Sequence, residues 1–300
     1  MTPAEFHASR RTVRTPSGQI AWVERGAGPA AVFVHGFPLN GFHWRHQLTA
    51  LSDLRRCLAP DLMGLGYSEI APDQDVSFTA QAGMLAQWLD ALDVGEVDLV
   101  GNDSGGAIAQ IFAARNPRRI RSLVLTNCDV DENSPPAEFM PTVNLARSGG
   151  LGGLLAAALQ NPEAARAPTG LGVGFQFPER LTDEILEVYL APYAKSEERM
   201  RNLDRYVAGM RPEETTAIRA DLAKLEAPTL IVWGSADIFF VRRWAEWLAE
   251  TIPGAKRIVD LPDAKLFFPE ERAEELNALI RAHWSAGSLP AMGARAARPQ

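Results

Sequence analysis

The sequence predicts an α/β fold, a mostly parallel twisted sheet with helices on both faces. Three observations predict it: short apolar runs alternate with helical patterns, a glycine-framed turn links one run to the next helix, and a second glycine turn follows an earlier run. The runs, rich in Val, Ile and Leu, are Ile20 to Val23, Ala31 to Val34, Val97 to Val100, Leu123 to Leu125, Thr229 to Trp233 and Arg257 to Leu261. Such continuous apolar runs read as strands buried on both faces. Between them lie the helical patterns Thr79 to Leu92 behind the cap candidate Ser77, Ala107 to Arg115, Val241 to Thr251, and Glu270 to Trp284 opened by Pro269. Strand and helix in alternation give parallel pairing with helical crossovers.

From about Asp131 to about Arg211 the alternation stops, and a Pro- and Gly-bearing stretch carries helical segments at Asp183 to Leu190 and Glu197 to Val207. An insertion of this size between two strands is expected to cover a site as a helical lid. The core is therefore expected over 1–130 and 212–285, the lid over 131–211, and a tail without fixed structure over 286–300, where Ala, Gly, Pro and Arg dominate.

Composition narrows the partners. With 46% hydrophobic residues in 300, the chain can bury a large core. The small-residue stretch Leu145 to Gln160 is broken by Arg147 and glycines and is too short to cross a bilayer. The start, MTPAEFHASRR, has no apolar run behind its charges, so a cytoplasmic protein without a membrane partner is expected. Cys57 and Cys128 lack metal-ligand spacing and read as core residues of a reducing compartment. Neither metal nor cofactor is expected. A net charge of -7 without a basic block argues against nucleic acid. A small-molecule substrate suits the chain, as a monomer or homodimer.

The stretch LVGNDSGG, Leu99 to Gly106, sets Asp103 beside Ser104 on a sharp strand-to-helix turn. A strained central residue on such a turn needs small residues two positions before and two after it. Centring on Asp103 gives Gly101 and Gly105, whereas centring on Ser104 gives Asn102 and Gly106. Asp103 therefore fits as the nucleophile. Its plainer reading, capping the following helix, would not require glycines on both sides.

Here the chain resembles the α/β-hydrolase family, whose elbow reads G-x-nucleophile-x-G, and within it the aspartate-nucleophile branch of haloalkane dehalogenases and epoxide hydrolases. The resemblance runs from about Arg11 to Trp284. His35-Gly36-Phe37-Pro38 is similar to the family's HGxP turn, and Pro60 to Ser68, PDLMGLGYS, to its D-x-x-G-x-G-x-S segment. The resemblance implies an α/β-hydrolase fold with a helical lid and an oxyanion hole made of the Phe37 and Ser104 backbone N–H groups. It also implies that Asp103 attacks a saturated carbon bearing a leaving group, or an epoxide carbon, forming an alkyl ester that water then cleaves. In the family that water is activated by a histidine oriented by an acid. Asp237, just past the strand at 229–233, matches the acid position, and Asp129 is the alternative one strand earlier.

The histidine is missing. In DLPDAKLFFPEERAEEL, Asp260 to Leu276, the family's G-H-F slot falls on Lys265, Leu266 and Phe267. Of the other histidines, His7, His35, His43, His46 and His283, none lies in a loop after the last strand. Three readings stay open: hydrolysis with water activated otherwise, a cofactor-free cyclase, isomerase or lyase using Asp103 as acid or base, and a non-catalytic small-ligand binder. The family's tryptophan after the nucleophile is here Ser104, and the asparagine that dehalogenases often carry after HG is Phe37, so halide is poorly provided for. Tyr189, Tyr193 and Tyr206 offer the lid phenols with which epoxide hydrolases protonate the opening ring. His35, Trp44, Tyr189 and Tyr193 are the expected pocket residues.

Overall fold

The computed structural model describes residues 1–286. The tail expected over 286–300 lies outside the described residues but for Ala286, the end of the last helix. Eight strands form one sheet: β1 (Arg11–Thr15), β2 (Gly18–Arg25), β3 (Ala30–Val34), β4 (Arg56–Pro60), β5 (Val97–Asp103), β6 (Ile120–Cys128), β7 (Thr229–Gly234) and β8 (Ala255–Leu261). Their order is β1-β2-β4-β3-β5-β6-β7-β8. β1, β2 and β4 pair antiparallel, and every pair from β4 across to β8 is parallel.

All six expected strands are present. The sequence reading missed β1, whose residues RTVRT are mostly exposed at the sheet edge, and β4, whose apolar run is only Cys57-Leu58-Ala59.

The helices of the core are α1 (Pro3–Ala8), α2 (Arg45–Ala50), α3 (Phe78–Ala91) and α4 (Ser104–Arg115). Between β6 and β7 come α5 (Met140–Arg147), α6 (Leu151–Ala158), α7 (Pro162–Arg166), α8 (Asp183–Ala194), α9 (Glu197–Ala208), α10 (Glu213–Thr216) and α11 (Arg219–Leu222). The chain closes with α12 (Arg243–Thr251), α13 (Phe268–Glu271) and α14 (Ala273–Ala286). The Ser77 hydroxyl caps α3 by accepting from the Ala80 N–H, as a cap residue should. The helix expected over Glu270 to Trp284 is two helices, because the chain turns at Arg272, whose guanidinium bonds the Pro262 carbonyl at 2.7 Å.

Two features position the site. α4 is buried from Ser104 to Ala114 and packs on β3, β5 and β6, so its first residue sits at the sheet centre, where parallel strand ends leave a crevice. The insertion is tied to the elbow by the Tyr206 hydroxyl on α9, which donates to Ser104 Oγ at 2.9 Å, and within the insertion the Asp204 carboxylate on α9 accepts the Leu151 and Gly152 N–H groups at 3.0 and 3.1 Å. This acidic cap on its first turn steadies α6 (LGGLLAAA) despite two internal glycines.

Candidate active site

Asp103 ends β5 with φ 56° and ψ −139°, a conformation costly for a residue with a side chain. Its carboxylate makes no capping bond to α4, so the strain is not explained by helix capping. The turn is tight enough that a Cβ on Gly105 would stand 2.2 Å from the His35 carbonyl oxygen and 2.4 Å from that of Val34. A Cβ on Gly36 would stand 2.2 Å from Asp103 Oδ2, so the bare glycine of the HGFP turn gives the carboxylate its space.

Asp103 forms part of the wall of a cavity of about 290 Å³. Phe37, Asp129 and Leu266 come from the core, and Phe139, Leu155, Leu171 and Met210 from the insertion. Leu154 and Ile238 also line it, and both are exposed, at 56% and 50%. They give the opening an apolar rim. The Phe37 and Ser104 N–H groups face the Asp103 carboxylate and draw its pKa down; burial and the neighbouring Asp129 and Asp237 outweigh them and raise it well above the carboxylate range. Ser104 Oγ accepts from the Tyr206 hydroxyl at 2.9 Å and from the Phe37 N–H at 3.2 Å.

The two acids behave differently. Asp237 is held on both oxygens, Oδ2 by the Asn127 amide at 2.8 Å and Oδ1 by the Phe239 N–H at 2.9 Å, and it is not among the cavity-lining residues. Asp129 does line the cavity, is 2% exposed, and its Oδ1 has no hydrogen-bond partner. Burial pushes both up to about 7.

A raised carboxyl holds its proton longer in the folded than in the unfolded chain. Its contribution is therefore full below about pH 4 and is lost as pH rises through about 7. The unfolding free energy is expected to fall over that window by about 1.4 kcal/mol per pH unit for each such group. Urea midpoints of Asp237→Asn at pH 5 and pH 7.5 should show a flatter dependence than the parent; an unchanged slope would refute it.

Leu266 stands in the cavity wall, 4% exposed, and its carbonyl accepts from Asn102 Nδ2 at 3.0 Å. The same amide reaches Thr126 Oγ1 at 3.0 Å and the Asn127 carbonyl at 3.2 Å. Asn102 thereby ties the elbow, the end of β6 and the loop carrying Leu266 into one unit.

The expected pocket residues His35, Trp44, Tyr189 and Tyr193 do not line the cavity, because each has a partner elsewhere. His35 Nε2 accepts from the Leu62 N–H at 3.0 Å and Nδ1–H donates to the Gly36 carbonyl at 2.9 Å; burial lowers its pKa to about 3, so the ring is neutral. Trp44 is fully buried against Phe33 and His43. The Tyr189 hydroxyl donates to Glu270 at 2.5 Å and that of Tyr193 to the Pro38 carbonyl at 2.8 Å. His43 is buried beside Glu270, Nδ1 to Oε2 3.5 Å. Among the described residues no histidine lines this cavity. Sequence reasoning ranked Asp129 below Asp237, and it missed the amides of Asn102 and Asn127, which no motif marks.

The sheet order, the elbow and the HGFP turn define one class of protein. The chain belongs to the α/β-hydrolase fold family, which it matches over residues 29–271, and it is an α/β-hydrolase-fold enzyme. It is 28% identical over 275 residues to a cis-3-alkyl-4-alkyloxetan-2-one decarboxylase of Shewanella oneidensis, covering 88% of this chain and 84% of that one. It is 28% identical over 303 residues to epoxide hydrolase 1 of Siraitia grosvenorii, covering 90% and 96%. Among solved structures, the haloalkane dehalogenase of Agrobacterium tumefaciens C58 superimposes with a TM-score of 0.76 at 26% identity, covering 93% and 98%.

Proposed function

We propose that this enzyme uses Asp103 as a nucleophile on a small, largely apolar molecule with an electrophilic carbon, forming an ester on the aspartate. The observation that carries the proposal is a strained carboxylate with no capping bond, in the wall of an apolar cavity and facing two backbone N–H groups. Likeness to an epoxide hydrolase and a haloalkane dehalogenase supports it. The insertion over 131–211 serves as the lid, and Asp237 acts as a positioning residue through Asn127. Buried, unpaired Cys57 and Cys128 fit a cytoplasmic site of action. Intact-protein mass spectrometry after incubation with epoxides, haloalkanes and activated esters tests this. A mass adduct on the parent that is absent from Asp103→Asn is expected; no adduct and no product from any compound would refute it.

Leu266 favours a second reading, in which the reaction ends without water because no imidazole stands over the ester, and the likeness to a decarboxylase supports it. The variant Leu266→His separates the two. If turnover is already hydrolytic, the added base raises its rate on the same product. If turnover is lyase-like, the variant yields a hydrated product that the parent does not make.

A further inference from the structure

We propose that Asp129 is the proton donor and acceptor of this site and that the substrate class it serves is epoxides; this rests on Asp103 being the nucleophile. Three observations lead there. Tyr189 and Tyr193 are turned to Glu270 and Pro38, and Tyr206 gives its hydroxyl to Ser104, so none of these phenols offers a proton to the cavity. Asp237 has both oxygens occupied and lies outside it. Asp129 belongs to the cavity wall, more than nine-tenths buried, with Oδ1 unpartnered, and Asp103 Oδ2 is likewise unpartnered. Two carboxyls in one apolar cavity do not ionise together readily, so at neutral pH the pair carries one proton.

That single proton suits an epoxide. An Asp103 oxygen forms a bond to a ring carbon, the ring C–O bond breaks, and the ring oxygen takes the proton from Asp129. Water then adds to Cγ of the Asp103 ester and gives one proton to the Asp129 carboxylate. The intermediate collapses, its alkyl oxygen leaves with the second proton of the water, and the pair again carries one proton. The sum is epoxide plus water to diol, with no other reagent. A haloalkane, by contrast, needs no proton at its leaving group, and the position after the nucleophile offers it Ser104, not an indole N–H.

The groups around Asp129 are Asp103 on the elbow, Cys128 before it, the Ser134 hydroxyl and Tyr206 on α9, with Asp237 and Glu138 beyond them. None is cationic, and burial outweighs the Ser134 hydroxyl and the backbone N–H that favour the Asp129 charge. Asp103 is the one of the pair that two further backbone N–H groups, of Phe37 and Ser104, favour in its charged form, which leaves the proton to Asp129.

The test compares 1,2-epoxyhexane with 1-bromohexane on the parent, Asp129→Asn and Asp103→Asn, read by product and by intact mass. Asp129→Asn is expected to lose epoxide turnover by about 10² to 10⁴-fold, the usual share of acid–base catalysis. It should still be alkylated by the bromide, and it should retain that adduct. Epoxide turnover at the parent rate would overturn Asp129 and leave Asp103 standing. No alkylation of the parent by either compound would overturn the Asp103 reading and this one with it. Should Asp129→Asn fail to fold by circular dichroism, the parent's own pH profile decides. Epoxide opening should fall on the alkaline side while bromide alkylation does not, and identical profiles would overturn the proposal.

Discussion

Asp103→Asn is expected to lower turnover by about 10⁴-fold or more, the scale seen when a covalent nucleophile is removed, while Ser104→Ala keeps most of it. The asparagine keeps the shape of the side chain on its strained turn but has no charged oxygen to bond carbon. Ser104 stands one residue along and is already engaged, its oxygen accepting from Tyr206 and from Phe37. Removing it leaves the Tyr206 hydroxyl without an acceptor in a buried place, which costs about 1 to 3 kcal/mol of stability but no reacting atom. Steady-state rates on any compound found to turn over, with thermal melts alongside, check both. The reverse ranking would move the nucleophile to Ser104.

Arg45→Met is expected to destabilise the fold by about 3 to 5 kcal/mol, the cost of leaving one buried charge without its partner. Arg45 bonds Glu270 at 2.6 Å, and both side chains are more than nine-tenths buried. Tyr189 donates to the second Glu270 oxygen, so the core helices and α8 of the insertion share this carboxylate. Burial works against the Glu270 charge, but Arg45 and His43 prevail and lower its pKa to about 2. A depressed carboxyl stabilises above its unfolded value and loses that contribution as pH falls from about 4.5 through 2. Arg45→Met should therefore be most damaging near neutrality and converge on the parent in acid. Urea midpoints at pH 7 and pH 3 measure this, and an equal loss at both would refute the charge argument.

What the sequence made legible was local. Continuous apolar runs marked the central strands, because a strand covered on both faces has no polar positions to hide it. Gly101 and Gly105 identified Asp103 as the centre of the elbow, because the turn excludes side chains on local grounds. Counting back from the acidic helix start singled out Leu266, and that residue stands in the cavity wall.

What stayed hidden depends on direction in space. Asp129 and Asp237 both follow strands, and only the folded chain shows that Asn127 holds one while the other borders the cavity. Tyr189 and Tyr193 sit on a helix of the insertion, yet their hydroxyls are engaged by Glu270 and the Pro38 carbonyl, and neither residue lines the cavity. β1 escaped because an exposed edge strand has no apolar run to announce it.

The Asn102 amide grips the backbone of residue 266 and not its side chain. The loop's path is thus fixed independently of which side chain projects from it, so that side chain can change without the site being rebuilt. Some leucine codons differ from histidine codons by a single base. For this scaffold the distance between a site without an imidazole and one with it is a point mutation, on a loop whose backbone the Asn102 amide already holds.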